Sequence, residues 1–297
     1  MFKKENAMKK FIIATDSCSD LPNSLIQEMG VRVIPLSVEM EGKSYFHHPD
    51  ERELSIATFY QNLRDKKVAK TSLINVGEFL VFFENLIKEK VDVLYIGFSS
   101  ALSGTFQSSL IASGELKEVH PEAKIIPVDS LCASMGQGLL VWNAWKLAKA
   151  GKTIEEVAEW VEKNKQSICH LFTVDDLGTL KRGGRLSETQ AFLGTLLKVK
   201  PILHVSNEGK LVALKKARGR SSSLEAMVDL MDGRITNPNT QTVFISHGDC
   251  LDEAQKVGMM IQERFKVADV LYNTIGPIIG AHSGPGTIAV FFFGNER

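Results

Sequence analysis

Asp92-Val93-Leu94-Tyr95-Ile96-Gly97-Phe98-Ser99-Ser100-Ala101-Leu102-Ser103-Gly104-Thr105 is the stretch from which the rest of the chain is read. Val93 to Ile96 form a short apolar run, the mark of a strand buried on both faces and hence of a parallel sheet. Gly97 ends the run. Ser99, Ser100, Ser103 and Thr105 then set hydroxyls around Gly104, before Leu110 and Ile111 signal an amphipathic helix. A helix that starts from such a turn has unpaired backbone N–H groups. The hydroxyls add donors at the same place, which suits a phosphate or a carboxylate. The same residues also suit a plainer role, in which Ser103 or Thr105 caps the helix.

Upstream, residues 11–14 read as a buried strand that runs into Thr15-Asp16-Ser17-Cys18-Ser19-Asp20. A helix follows from Pro22 with Leu25 and Ile26, and residues 31–38 read as the next strand. This strand–helix–strand unit is the element of a parallel sheet. Residues 40–52, with His47, His48 and Pro49, read as a loop, and residues 55–63 as a helix. Asn75 and Glu78 form a capping box for a helix carrying Phe79, Phe82, Phe83, Leu86 and Ile87. Downstream, residues 124–128 form another strand, which ends in Asp129-Ser130 as the first ends in Asp16-Ser17. With Ser99-Ser100 these strand ends define one rim, where open α/β sheets bind ligands. Residues 136–150 are a helix, and Thr153 with Glu156 starts another with Val157, Trp160 and Val161. The polar joint at residues 164–167 marks a boundary, giving domains 8–165 and 166–297.

The second half has another rhythm. Residues 171–174 are a strand, and Ser187 with Gln190 caps a helix through Phe192, Leu193, Leu196 and Leu197. Residues 201–205 and 211–214 flank Asn207-Glu208-Gly209 as a hairpin. Helices at 221–231 and 252–265 alternate with strands at 243–246, near 267–273 and at 287–293. Hairpin and βα units together describe a mixed-sheet α/β domain.

Lys+Arg and Asp+Glu are both 35, so the formal net charge is zero and a general nucleic-acid or anionic-membrane binder is disfavoured. Cys18, Cys132, Cys169 and Cys250 are scattered, as free thiols of a reducing compartment are. Residues 1–10 lack the apolar core of a signal peptide. No stretch approaches the roughly 18 apolar residues of a membrane span. A cytoplasmic protein without stable membrane insertion is the expectation, and Met8 offers a second start.

Gly280-Ala281-His282-Ser283-Gly284-Pro285-Gly286 reads as a loop whose glycines let backbone approach a ligand. Its histidine can donate to an anion or act as acid or base. His247 reads as a strand-end structural residue, and the pair His47-His48 lacks the further ligands of a metal site. Lys181-Arg182-Gly183-Gly184-Arg185 and Lys215-Lys216-Ala217-Arg218-Gly219-Arg220 are basic runs suited to a phosphate-facing patch or to plain solvated surface. No common nucleotide-binding loop is present. Gly97-Phe98-Ser99-Ser100-Ala101 approaches a nucleophile elbow, so a serine hydrolase using Ser99 or Ser100 with Asp175 or Asp249 and His282 is an alternative. Its helix starts too late for a sharp elbow.

Taken in order, Thr15-Asp16-Ser17, Thr71-Ser72, Ser99-Ser100-Ala101-Leu102-Ser103-Gly104-Thr105, Val128-Asp129-Ser130, Arg182-Gly183-Gly184-Arg185-Leu186, Lys198-Val199-Lys200-Pro201-Ile202-Leu203 and His282-Ser283-Gly284-Pro285-Gly286 resemble the DegV family of fatty-acid-binding proteins. The resemblance runs from about Ile12 to Gly294. It implies a Rossmann-like N-terminal parallel sheet with helices on both faces and a C-terminal mixed-sheet α/β domain. It further implies a bound long-chain fatty acid such as palmitate, held where the domains meet, with no cofactor and no metal. The chain itself would not be an enzyme. As in some bacterial members, it would present the carboxylate to a separate ATP-binding fatty acid kinase subunit that makes an acyl phosphate. Carried over by motif, Thr71, Ser72, Ser99, Ser100 and His282 would hold the head group, and Arg185 and Arg218 would face the phosphate or the partner. Where members often carry Gln-Pro after the Thr-Ser pair, this chain has Leu73-Ile74.

Overall fold

A computed structural model of the chain describes residues 11–185 and 199–297. The expected capping box of Ser187 and Gln190, with its helix, lies outside these residues.

Strands β1 (Phe11–Asp16), β2 (Arg32–Ile34), β6 (Asp92–Gly97) and β7 (Ile125–Asp129) form a parallel sheet in the order β2-β1-β6-β7. All six residues of β6 are buried. Its alternate side chains enter opposite cores, as the strand period demands. Leu94 and Ile96 pack with Leu139, Leu140, Val157 and Val161 of helices α5 (Met135–Lys149) and α6 (Ile154–Asn164). Val93 and Tyr95 pack with Phe79 and Phe83 of α3 (Val76–Ile87) and with Ala112 and Leu116 of α4 (Thr105–Val119). The capping boxes of Asn75 with Glu78 and of Thr153 with Glu156 both form.

Three readings of this half are corrected. Residues 31–38 do not make one strand. Pro35 has no N–H to continue the ladder, and the chain breaks into β2 and β3 (Ser37–Met40), which belong to different sheets. The expected loop at 40–52 contains β4 (Lys43–Phe46), which pairs with β3, and β3 also pairs with β5 (Ala69–Ser72). On α4, Leu110 and Ile111 face solvent, 39% and 44% exposed. The buried face is instead Thr105, Ser108, Ser109, Ala112 and Leu116, mostly small residues that let the helix sit close.

The second half folds as a six-stranded sheet, β10-β9-β8-β13-β11-β12. Its strands are β8 (Ile168–Thr173), β9 (Val199–Val205), β10 (Leu211–Arg218), β11 (Thr242–His247), β12 (Asp269–Thr274) and β13 (Ile288–Phe293). Only β11 and β12 pair in parallel. One face packs with Leu224 and Met227 of α8 (Arg220–Asp229) and Val257 and Ile261 of α9 (Leu251–Phe265). On the other, Phe172, Phe244 and Phe291 join the core around α5. The predicted hairpin of β9 and β10 is present and longer than expected.

Candidate functional site

The carboxyl ends of the parallel strands meet the second face of the mixed sheet across a cavity of about 250 Å³. Leu36, Phe98, Leu102 and Ala133 line it from the rim, and Phe172, Val205, Ala289 and Phe291 from the sheet. Ile278 and Ile279 come from α10 (Pro277–Ser283). Most of the wall is apolar, the surface a hydrocarbon chain needs.

The polar lining gathers from distant parts of the chain. Thr71 Oγ1 and His282 Nε2 are 2.8 Å apart, joining residues 211 positions apart in sequence. β5 carries Thr71 and Ser72 to the cavity, and α10 carries His282. The expected loop around His282 is therefore corrected to a helix that ends at Gly284, whose φ of 79° suits glycine. Burial, and then the charge of Arg185, lower the His282 pKa to about 4. The ring is thus neutral at pH 7 and donates through one nitrogen. Among the described residues, His282 Nδ1 is buried and has no hydrogen-bond partner. Gly183 packs so closely that a Cβ there would lie 2.5 Å from that nitrogen.

Arg185 also lines the cavity, donating from Nε to Leu102 O at 3.3 Å and from Nη1 to Gly183 O at 2.6 Å. Among the described residues, its other guanidinium N–H groups have no hydrogen-bond partner and suit an anion. Next to Leu102, Ser103 and Gly104 line the same space at the start of α4. Thr105 N donates to Ser103 Oγ at 3.2 Å, so Ser103 serves the helix start and the cavity together. Leu73 lines the cavity while Ile74 beside it is buried in the core.

The serines expected beside them are placed elsewhere. Ser99 is fully buried and donates from Oγ to Gly209 O at 2.9 Å. Ser100 is exposed, and its backbone N–H donates to Asp129 Oδ1 at 3.2 Å. Neither lines the cavity. Arg218, at the end of β10, is exposed and does not line it either.

The strand-end pairs also turn inward. Asp16 accepts from Cys18 N, Phe98 N, the Tyr95 hydroxyl and Gln137 Nε2 at 2.8–3.2 Å, and burial raises its pKa. Ser17 Oγ accepts from Leu36 N, and Ser130 Oγ from Cys132 N. The rim does border the cavity, but its polar side chains stitch the rim together.

These placements overturn the hydrolase alternative. His282 meets Thr71 and not Ser99 or Ser100. Asp249 pairs with Arg64, and Asp175 with Lys200. The elbow, base and acid are not assembled.

A family model described as "Uncharacterised protein, DegV family" matches residues 10–295. The chain belongs to the DegV family. A DegV domain-containing protein of Clostridium perfringens is 46% identical over 98% of this chain and 99% of its own. The structure of a fatty-acid-binding DegV family protein from Thermus thermophilus matches with a TM-score of 0.86 at 30% identity, over 96% of this chain and 99% of that one. DegV of Bacillus subtilis, a fatty acid binding protein, matches at 0.83 and 30% identity, over 95% and 98% of the two chains. The two-domain α/β architecture of the DegV family is thus the fold of this chain. Among the described residues, no helix is long and apolar enough to cross a membrane, and no cluster of His, Cys, Asp and Glu is arranged to hold a metal.

Proposed function

We propose that this DegV protein binds a long-chain fatty acid in the cavity between a domain of residues 8–165 and one of residues 166–297. The acyl chain lies against Phe98, Phe172, Phe291 and Ile278, and the carboxylate is held by Thr71, Ser72, Ser103 and His282 beside Arg185. The observation that carries this reading is the Thr71–His282 pair opening into an apolar cavity. Each methylene moved from water to such a wall contributes about 0.8 kcal/mol, so a chain of roughly sixteen carbons supplies most of the affinity. Hydrogen bonds from hydroxyls and imidazole to a carboxylate are charge-assisted and fix its orientation. The fatty-acid-binding DegV proteins of Thermus thermophilus and Bacillus subtilis support the same ligand class.

The protein then acts in the bacterial cytoplasm as the substrate-presenting partner of an ATP-dependent fatty acid kinase subunit. In this role Arg185, at the cavity, neutralises charge on the acyl phosphate, and exposed Arg218 faces the partner. Denaturing extraction of the purified protein, followed by mass spectrometry, is expected to release one fatty acid per chain. A preparation that stays empty after incubation with mixed fatty acids overturns the reading. Addition of a fatty acid kinase subunit with ATP is expected to give acyl phosphate only when both proteins are present.

A further inference from the structure

The cavity also carries hydroxyls that an alkyl chain does not use. Ser246 of β11 stands opposite Ala289 of β13, so the two side chains share one sheet face, and both line the cavity. Ser246 Oγ lies 2.9 Å from Ser134 Oγ, and Ser134 Oγ lies 2.6 Å from Asp20 Oδ2. Asp20 Oδ1 accepts from Gly276 N at 2.9 Å. Ser246, Ser134 and Asp20 are 0%, 4% and 4% exposed. Ser134, with φ 51° and ψ −143°, holds a backbone conformation that a non-glycine residue keeps only where its surroundings enforce it. A second lining hydroxyl, Ser283 Oγ, is buried without a hydrogen-bond partner among the described residues.

The direction of this hydrogen-bonded chain decides what Ser246 offers. With Asp20 ionised, Ser134 donates to it and accepts from Ser246, leaving the Ser246 oxygen as an acceptor toward the cavity. With Asp20 protonated the order reverses, and Ser246 offers its O–H. Burial raises the Asp20 pKa to about 7, so both directions are populated near neutrality. The titratable groups around it are Asp16, Cys18 and Tyr60, with His47 packed on Gly276.

We propose that the preferred ligand is a fatty acid bearing a hydroxyl on its chain, held by Ser246 and Ser283. This rests on the fatty-acid reading above. A plain alkyl chain against these side chains leaves the Ser283 hydroxyl unpaired and gives Ser246 nothing beyond its bond to Ser134, and a site built to bond a hydroxyl discriminates against the analogue lacking it. A chain hydroxyl both donates and accepts, so it pairs with Ser246 in either direction; an oxo group only accepts and serves one.

The test is displacement of a fluorescent fatty-acid probe from delipidated protein by stearic acid and by a positional series of hydroxystearic acids. At least one isomer is expected to bind on the order of tenfold more tightly than stearic acid. Ser246→Ala or Ser283→Ala should bring that ratio toward one. The two residues sit on different elements, so a folding defect in one variant leaves the other to be read. If stearic acid displaces the probe and every isomer is weaker, the hydroxyl preference is overturned while fatty-acid binding stands. A preference that survives both substitutions overturns the assignment to these residues. If no acid displaces the probe and none is extracted, the fatty-acid reading fails and takes this inference with it.

Discussion

The carboxyl rim of the parallel sheet and the contact between β5 and α10 use similar polar residues for opposite ends. At the rim, Asp16, Ser17, Ser99, Asp129 and Ser130 commit their oxygens to neighbouring backbone or to buried side chains. At the second place, Thr71 and His282 bond each other, and among the described residues the other His282 nitrogen has no partner. The rim is the more conspicuous in sequence because its residues follow apolar runs directly. That position puts them where a strand end must satisfy its own backbone groups, and those local demands consume them first. The groups left for a ligand are brought together by tertiary contacts.

The largest effect is expected from the rim. Asp16→Ala removes the acceptor of four donors in the core and should lower stability by about 3 kcal/mol or more, read as a fall in the denaturant midpoint. An unchanged midpoint would show that the rim oxygens do not hold the sheet together. At the other place, His282→Ala should weaken fatty-acid affinity by about 1.5–3 kcal/mol, on the order of ten- to a hundredfold, measured by probe displacement. Gly183→Ala should move affinity in the same direction by displacing the His282 ring, since backbone cannot yield as a side-chain tip does. Affinity that survives both changes breaks the assignment of the head-group site.

Acidity separates the two places further. Asp20 is raised to about 7, so the folded chain keeps a proton that the unfolded chain releases near pH 4, and its contribution is lost as pH rises through this window. His47 and His282, lowered to about 3 and about 4, act oppositely and add stability as pH rises toward the unfolded histidine value of about 6.5. Between about pH 4.5 and 6.5, Asp20→Asn should therefore make stability climb more steeply than in the parent, by about 1.4 kcal/mol per pH unit. Parallel curves for the two proteins would show that Asp20 ionises normally. The smallest effect is expected at Ser99. Ser99→Ala should cost about 1 kcal/mol of stability through the lost bond to Gly209 and leave fatty-acid affinity unchanged. A loss of affinity there would return Ser99 to the head-group site and erase the contrast between the two places.

The apolar run of β6 specified a two-faced parallel strand because period-two alternation in a buried strand must fill a core on each side. The capping boxes at Asn75 and Thr153 were equally legible, since each is a reciprocal pair of hydrogen bonds within four residues. Thr71 and Ser72 could be named from the sequence only through motif resemblance, while His282 and Arg185 also stood out by their glycine-rich and basic surroundings; nothing local says that β5 and α10 meet. The split at Pro35 has a local cause, but the turned face of α4 and the burial of Ser99 under Gly209 depended on packing between distant segments. Ser134 and Ser246 carried no signal at all: a serine forced to positive φ looks like any other serine until the Asp20 carboxyl and β11 are packed against it. Sequence fixes what a segment does with its own neighbours, because those interactions act over a few residues. Which polar atoms remain for a ligand is decided only when the tertiary structure has satisfied the others.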